Sequence, residues 1–305
     1  MDLFVAMQTF AKVAELGSFT QAAQVLQLPN ASVSTRVSQL EDRLGVKLFA
    51  RTTRRVRLTD DGAAYLLTVQ RLLADIDEVE DHLKGRTRKP RGRIRIDVPA
   101  SAGRHVIAPA LPEFLQRYPD ITVDLGCTDR PVDLVAEGVD CVIRGGNVLD
   151  DSLVARRLGD YEVITCAAPS YLEKHGPPAS PLMLQGHQAI NFFSARNGKV
   201  MPFDFMIDGQ LQAMVLPHQV ATNDADTYLE FTRRGLGLAQ VPRSKIVLDM
   251  LATGVLVPVL EPWSPSGFPI YLVYPRTRHL SARVRAFADW AAELYSAIFD
   301  EQKRA

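Results

Sequence analysis

SFTQAAQVLQLPNASVSTRVSQLEDRL, residues Ser18 to Leu44, reads as two short helices joined by a tight turn. Gly17 can end a preceding helix, Ser18 can cap the next, and Gln21 three residues on completes a capping box. Pro29 suits the first turn of a third helix. In that helix Val33, Val37, Leu40 and Leu44 recur at helical spacing and form one apolar stripe, which is expected to pack on the preceding helices. Projection at about 100° per residue puts Ala31, Ser32, Thr35, Ser38 and Gln39 away from the stripe, with Asn30, Ser34 and Arg36 on its flanks. Small and amide-bearing side chains allow close approach to base edges, and Asn or Gln can pair bidentately with adenine. A helix-turn-helix presents such a face to DNA, although a solvated helix face has the same composition.

Immediately downstream, Val46 to Arg51 and Val56 to Thr59 read as two short strands around Thr52, Thr53, Arg54 and Arg55, a β-wing. From Arg43 to Thr59 the charged residues are Arg43, Lys47, Arg51, Arg54, Arg55 and Arg57, without an acid, in a chain that balances 35 basic against 35 acidic residues. Phosphate neutralisation needs such a concentration of positive charge. Arg54 and Arg55 at the wing tip are placed to reach a minor groove, and Arg51 and Arg57 to meet phosphates.

Phe10, Val13 to Glu15, Gly17 to Thr20, Ala22, Ala23, Leu26, Val33, Ser34, Leu40, Glu41, Leu44, Gly45, Leu48, Phe49, Arg51, Thr52, Val56, Leu58, Thr59 and Gly62 together match a long pattern, FxxVAExGSFTxAAxxL…VS…LExxLGxxLFxRTxxxVxLTxxG. In this the chain resembles the LysR-type transcriptional regulators. The resemblance implies a winged helix-turn-helix domain over 1–59 with its motif at Phe19 to Ser38. Where many members of that family carry Arg after the VS pair, this chain has Thr35 followed by Arg36. Its third helix also opens Pro29-Asn30 rather than the frequent Ser-Gln.

After Thr59, Asp60 and Asp61 favour a helix N-terminus. Apolar residues then fall at Tyr65, Val69, Leu72, Ile76, Val79 and Leu83, alternating four and three apart. That seam suits a coiled coil, so residues 60–83 are expected to form a linker helix that dimerises through Val69, Leu72, Ile76, Val79 and Leu83. The family resemblance favours the same pairing and implies a dimer or tetramer. Two reading heads would then meet an inverted repeat with half-sites about one helical turn apart or a multiple of it. Residues 84–93 sit in the run KGRTRKPRGRIR, interrupted by Gly85, Pro90 and Gly92, and read as a hinge.

Residues 94–305 alternate apolar strands with helical segments, the order of an α/β domain. Strands are predicted at Ile94 to Val98, Ile121 to Cys127, Cys141 to Arg144, Leu153 to Arg157, Glu162 to Ala167, Ala189 to Phe193, Gln219 to Thr222, Gly237 to Val241 and Ile270 to Tyr274. Helices are predicted up to about Tyr118, around Pro131 to Glu137, and from Ser281 to about Phe299. RYPDI at Arg117 to Ile121, DxxIRGG at Asp140 to Gly146 and RRGLGLAQVP at Arg233 to Pro242 resemble the effector domains of the LysR family. Those domains are two-lobed and similar to periplasmic binding proteins, which implies lobe one at 94–162 with 267–305 and lobe two at 163–266. DVPAS at Asp97 to Ser101, DRPVDLVAEGVDCVIRGG at Asp129 to Gly146 and DSLVARRLG at Asp151 to Gly159 resemble one subgroup of that family.

Ligands of open α/β sheets settle at the carboxyl ends of strands, in the crevice between halves. That rule selects Ser101 and Ala102 after the first strand, Thr128 after the second, Arg144 after the third, and Asn191, Phe192 and Asn223 from the second lobe. Family analogy points to Ser101 and Thr128 in particular. Arg144 and the helix opening at Ala100 favour a small organic anion as effector. Ser101 and Asn223 could equally be helix caps, and Arg144 could pair with Asp129 or Asp140.

Cys127, Cys141 and Cys166 fall in or next to strand patterns and are expected to be buried free thiols. The six histidines show no ligand spacing, so neither a metal nor another cofactor is expected. No apolar run reaches ~18 residues and the N-terminus does not read as a signal, so a cytoplasmic, nucleoid-associated bacterial protein without membrane contact is expected. An α/β domain with a cleft can be catalytic, yet the sequence has no G-x-S-x-G elbow, P-loop, dinucleotide fingerprint or zinc motif. A sequence-specific regulator with double-stranded DNA, a small effector, further copies of itself and RNA polymerase as partners is the leading reading. An architectural DNA-binding protein without effector is the second, and a thiol-based redox regulator the third.

Overall fold

The structure is a computed structural model and describes residues 1–52, 55–83, 89–146, 152–195, 197–276 and 280–302. The chain divides into two compact units, Met1–Lys89 and Pro90–Ala305.

The first unit contains α1 (Leu3–Leu16), α2 (Phe19–Leu26), α3 (Asn30–Leu44), β1 (Phe49–Thr52), β2 (Arg55–Leu58) and α4 (Asp60–Leu83). Its helix boundaries follow from capping chemistry. Asp2 accepts the Phe4 and Val5 N–H groups at the start of α1, and Gly17 ends it in the left-handed region. Ser18 Oγ then accepts the Gln21 N–H at 3.3 Å. Phe10, Val13, Ala22, Val33, Val37, Leu40 and Leu48 are fully buried in one core with Phe49 and Val69.

Two of the expectations for this unit change. Leu44 is 38% exposed, so the buried stripe of α3 stops at Leu40, and Glu41 is buried in its place. Val69 is fully buried in the unit's own core, because α4 packs across α1, and it is therefore no dimerisation residue. Leu72 and Ile76 stay 39% exposed on α4, whereas the side chains of Val79 and Leu83 lie outside what is described.

The start of α4 is locked to the wing. Thr59 Oγ1 donates to the Lys47 carbonyl at 2.6 Å and accepts the Gly62 N–H at 2.9 Å. A Cβ at Gly62 would lie inside van der Waals contact of the Leu48 carbonyl oxygen, which is backbone and cannot swing aside. Gly→Ala in a helix ordinarily stabilises by up to ~1 kcal/mol. Here Gly62→Ala is expected to have the opposite sign, lowering the stability of the first unit by about 1–3 kcal/mol in denaturant titration, the range for an overpacked contact.

The second unit opens with β3 (Gly92–Val98), so Gly92 and Arg93 belong to a strand paired with Ile121 and Thr122 rather than to the hinge. There follow α5 (Ala100–Ala102), a π-helical turn (Gly103–Ile107), α6 (Ala108–Arg117), β4 (Ile121–Cys127), β5 (Cys141–Gly145) and β6 (Leu153–Tyr161). Next come β7 (Val163–Ala167), α7 (Pro169–His175), β8 (Ala189–Phe192), β9 (Phe203–Ile207), β10 (Gln210–Met214), β11 (His218–Thr222) and α8 (Ala225–Arg233). The chain finishes with β12 (Ala239–Pro242), α9 (Lys245–Ala252), β13 (Val257–Val259), β14 (Phe268–Pro275) and α10 (Ala282–Gln302).

One lobe is built on a five-stranded sheet in the order β4-β3-β5-β14-β6, with β3 parallel to β4 and β5, and β14 antiparallel to both neighbours. Its apolar strands are covered by α6 and α10, whose Phe114, Phe287 and Trp290 meet with ring centroids 5.0 to 5.7 Å apart. The other lobe carries the sheet β12-β7-β13, the parallel pair β8-β11 and the hairpin β9-β10. The segment Pro131 to Glu137 is a turn instead of a helix. Asp133 accepts the Val135 and Ala136 N–H groups at 3.0 and 2.9 Å, and Arg130 pairs with Glu137 across it. A short polar side chain bonding its own backbone competes with helix in this way.

Among the described residues no helix is long and apolar enough to cross a membrane, and no group of His, Cys, Asp and Glu is placed to hold a metal ion.

Candidate nucleic-acid interface and effector cleft

Packing of the Val33, Val37 and Leu40 stripe into the core turns the opposite face of α3 outward. Asn30, Ala31, Thr35 and Gln39 are exposed, with Ser32, Ser34, Arg36 and Ser38 half-buried beside them. Asn30 Nδ2 donates to Thr20 Oγ1 at 3.3 Å, which orients its amide and ties α3 to α2.

The wing is an antiparallel pair in the register Phe49↔Leu58 to Thr52↔Arg55. Arg54 and the side chains of Arg51 and Arg55 lie outside the described residues, while Arg43 and Arg57 are exposed. A residue that periodicity missed holds the wing to α3. The Glu41 carboxylate accepts the N–H groups of Leu48 and Phe49 at 2.9 and 3.2 Å and the Lys47 ammonium at 2.8 Å. Burial pushes this carboxyl up, but those donors outweigh it and hold it below the ordinary carboxylate value.

In the second unit the carboxyl ends of β3 and β4 meet the start of α8. Ser101, Ala102 and Thr128 are half-buried on one lobe, with Phe192 and Asn223 half-buried on the other, and α5 packs against α8. Phe192 sits edge-on to Tyr228, the centroids 5.8 Å apart. Asp224 caps α8 by accepting the Thr227 N–H at 2.7 Å. On the flank of this meeting, Asp226 of α8 pairs with Arg104 and lies 3.2 Å from His105 Nε2, so charged contacts tie the lobes together.

The cleft differs from the sequence expectation in two respects. Asn191 is 1% exposed, paired with Ala221 of β11 and donating its amide to the Leu216 carbonyl, and cannot line an open cleft. Arg144 forms an ion pair with Asp97, which also accepts the Thr128 hydroxyl at 2.9 Å, so the cation expected to meet an anionic effector already has an acid. Asp129 accepts the Ala100 N–H in the same manner. Burial and the nearby Asp224 carboxylate raise its pKa, against the opposing effects of Ala100 and Arg144. The expected anion sites are thus filled by side chains of the chain itself.

Cys127 is exposed at the end of β4, contrary to expectation, whereas Cys141 and Cys166 are buried. Burial and the neighbouring Asp97 hold the Cys127 thiol above its ordinary pKa, burial raises Cys141 well above, and Cys166 is pushed up to about 12. Thiols held protonated are poor nucleophiles, which weighs against the redox reading.

A winged helix-turn-helix followed by a two-lobed α/β domain with a cleft defines a ligand-responsive DNA-binding protein. The bacterial regulatory helix-turn-helix pattern of the lysR family matches residues 4–63, and the LysR substrate binding domain pattern matches residues 87–296. An HTH-type transcriptional repressor of Pseudomonas aeruginosa (strain UCBPP-PA14) is 41% identical over 97% of this chain and 93% of its own length. The HTH-type transcriptional activator AaeR of Escherichia coli (strain K12) is 33% identical over 93% of this chain and 91% of its own. The structure of CrgA, a LysR-type transcriptional regulator from Neisseria meningitidis, superposes with a TM-score of 0.60 at 30% identity, over 95% of this chain and 98% of that one. The chain belongs to the LysR family of bacterial transcriptional regulators. The subgroup likeness carried by DVPAS, DRPVDLVAEGVDCVIRGG and DSLVARRLG is to CrgA.

Proposed function

We propose that this regulator is a cytoplasmic homo-oligomer that reads an inverted repeat near promoters through α3 and its wing. A small molecule held between Ser101, Thr128, Phe192 and Asn223 sets its occupancy or the DNA bend, and RNA polymerase is the partner that senses the outcome. The observation that carries the reading is the exposed face of α3, small and amide-bearing, set over a buried stripe and beside a basic hairpin. Leu72 and Ile76, exposed on α4, support pairing of two chains there. Because Asp97 and Asp129 occupy the cation and the N–H group nearest the cleft, the reading favours an effector that brings hydrogen-bond donors. Such a molecule acts only to the extent that it binds one arrangement of lobes or subunits better than the other.

Two substitutions separate base reading from phosphate contact. Arg57→Ala is expected to weaken binding on all sequences and to make the dependence of log K on log salt shallower by about 0.9 per lost phosphate contact. Thr35→Ala is expected to leave that slope in place and change the ratio of specific to random-sequence affinity. Titrations across a salt series on both DNAs give the two quantities. Equal losses on specific and random DNA for Thr35→Ala would remove Thr35 from the base-reading face.

A further inference from the structure

The hairpin β9-β10 turns through Asp208 and Gly209, both in the left-handed region (φ 49° and 75°). Such a two-residue turn makes its flanking pair, Ile207 and Gln210, exchange both ladder hydrogen bonds. Alternation then aims the backbone groups of Gln210, Gln212 and Met214 at β9 and those of Leu211 and Ala213 outward.

The two edges of this hairpin are treated differently. On β9 the Gln240 side chain acts as a strand, its Nε2 donating to the Asp204 carbonyl and its Oε1 accepting the Asp204 N–H, both at 2.9 Å. On β10 no backbone partner meets the outward groups of Leu211 and Ala213 among the described residues. Edge strands in water are ordinarily blunted by Lys, Pro or a bulge. The run from Gln210 to Val215, QLQAMV, has no charge and no Pro, its register with β9 is regular, and it exposes 56% of Leu211 and 71% of Val215.

From this we infer that β10 is an interface between two copies of the chain, paired antiparallel about a twofold axis through Gln212. The strand is self-complementary in that register. Leu211 exchanges two hydrogen bonds with Ala213 of the partner subunit, and symmetry repeats them, which satisfies the outward groups of both residues. On the face away from the core Leu211 meets a small Ala213, and Val215 meets Gly209, so large side chains face small ones. On the other face Gln210 meets Met214 and the two Gln212 amides meet each other. A neutral strand faces its own copy without repulsion, whereas a charged one would not. The contact is small, and it bridges two pairs of chains each joined through α4, so that closing the second such contact in the assembly is intramolecular.

Gln212 falls in a non-hydrogen-bonded pair on the axis, where Cα atoms are about 4.5 Å apart, within disulfide range. Gln210 is four positions from its own copy, roughly 13 Å away at strand rise, and out of range. In full-length protein carrying Cys127→Ser, Gln212→Cys is expected to form an interchain disulfide under mild oxidation at least tenfold faster than Gln210→Cys. Ala213→Pro removes one outward N–H, and Ala213→Lys leaves the backbone intact while placing cations in the interface. Both are expected to halve the particle mass by light scattering with an unchanged melting curve. Equal cross-linking at the two cysteines, or an unchanged mass for Ala213→Lys, would overturn the inference.

Discussion

Glu41→Ala is expected to abolish specific DNA binding, although Glu41 is 4% exposed and turned into the core. Its carboxylate is the acceptor for two backbone N–H groups of the segment that leads into the wing, and for Lys47. Deleting it leaves the Leu48 and Phe49 N–H groups buried without an acceptor, each costing about 1–3 kcal/mol. The first unit is therefore expected to lose roughly 3 kcal/mol, with hydrogen exchange at Leu48 and Phe49 accelerating before that of α1 or α2. The sign of the pH dependence follows from the lowered pKa. The contribution of Glu41 is complete above the unfolded carboxylate value and is lost as pH falls through the folded one. Wild-type wing protection is thus expected to fall in that acid range and the variant's to stay flat. A variant within about 0.5 kcal/mol of wild type would mean that the wing is held by other contacts.

Asp97→Asn is expected to give the cleft an affinity for carboxylates at least tenfold above that of the wild-type protein. Asp97 is 5% exposed at the end of β3 and neutralises Arg144, whose side chain is 21% exposed. The amide keeps the shape and one acceptor for the Thr128 hydroxyl but removes the counter-charge. Stability of the second unit is expected to fall by about 2 kcal/mol, the scale of one hydrogen bond to a charged group. With benzoate as probe in calorimetry, the variant is expected to bind and wild type to show at least tenfold weaker binding. Equal affinity would mean that Arg144 reaches an anion even while paired with Asp97.

The boundaries of the reading head were legible because they rest on local chemistry: Gly17 and Gly45 adopt the left-handed conformation that ends a helix, and Ser18 bonds within its own turn. What escaped sequence reading depends on partners far along the chain. Helical spacing marks Leu44 as core and Glu41 as surface, and only the N–H groups seven and eight residues on reverse the two. Arg144 stands as a lone cation until the fold brings Asp97, 47 residues earlier, beside it. Val69 fits a coiled-coil seam and a domain core equally, and the crossing of α1 decides between them. The hairpin had a signal, alternation through Phe203, Phe205 and Ile207 followed by Asp208-Gly209, and a search for that turn would have found it.

The central claim is that this protein selects particular DNA sequences. Purified full-length protein mixed with sheared genomic DNA of the encoding organism and excess competitor, followed by sequencing of the retained fragments, tests it most directly. Enrichment of one or a few promoter-proximal inverted repeats, lost in Thr35→Ala and kept in Ala213→Lys, is the expected result. Uniform retention across the genome would contradict the account and leave a DNA-binding protein without sequence preference.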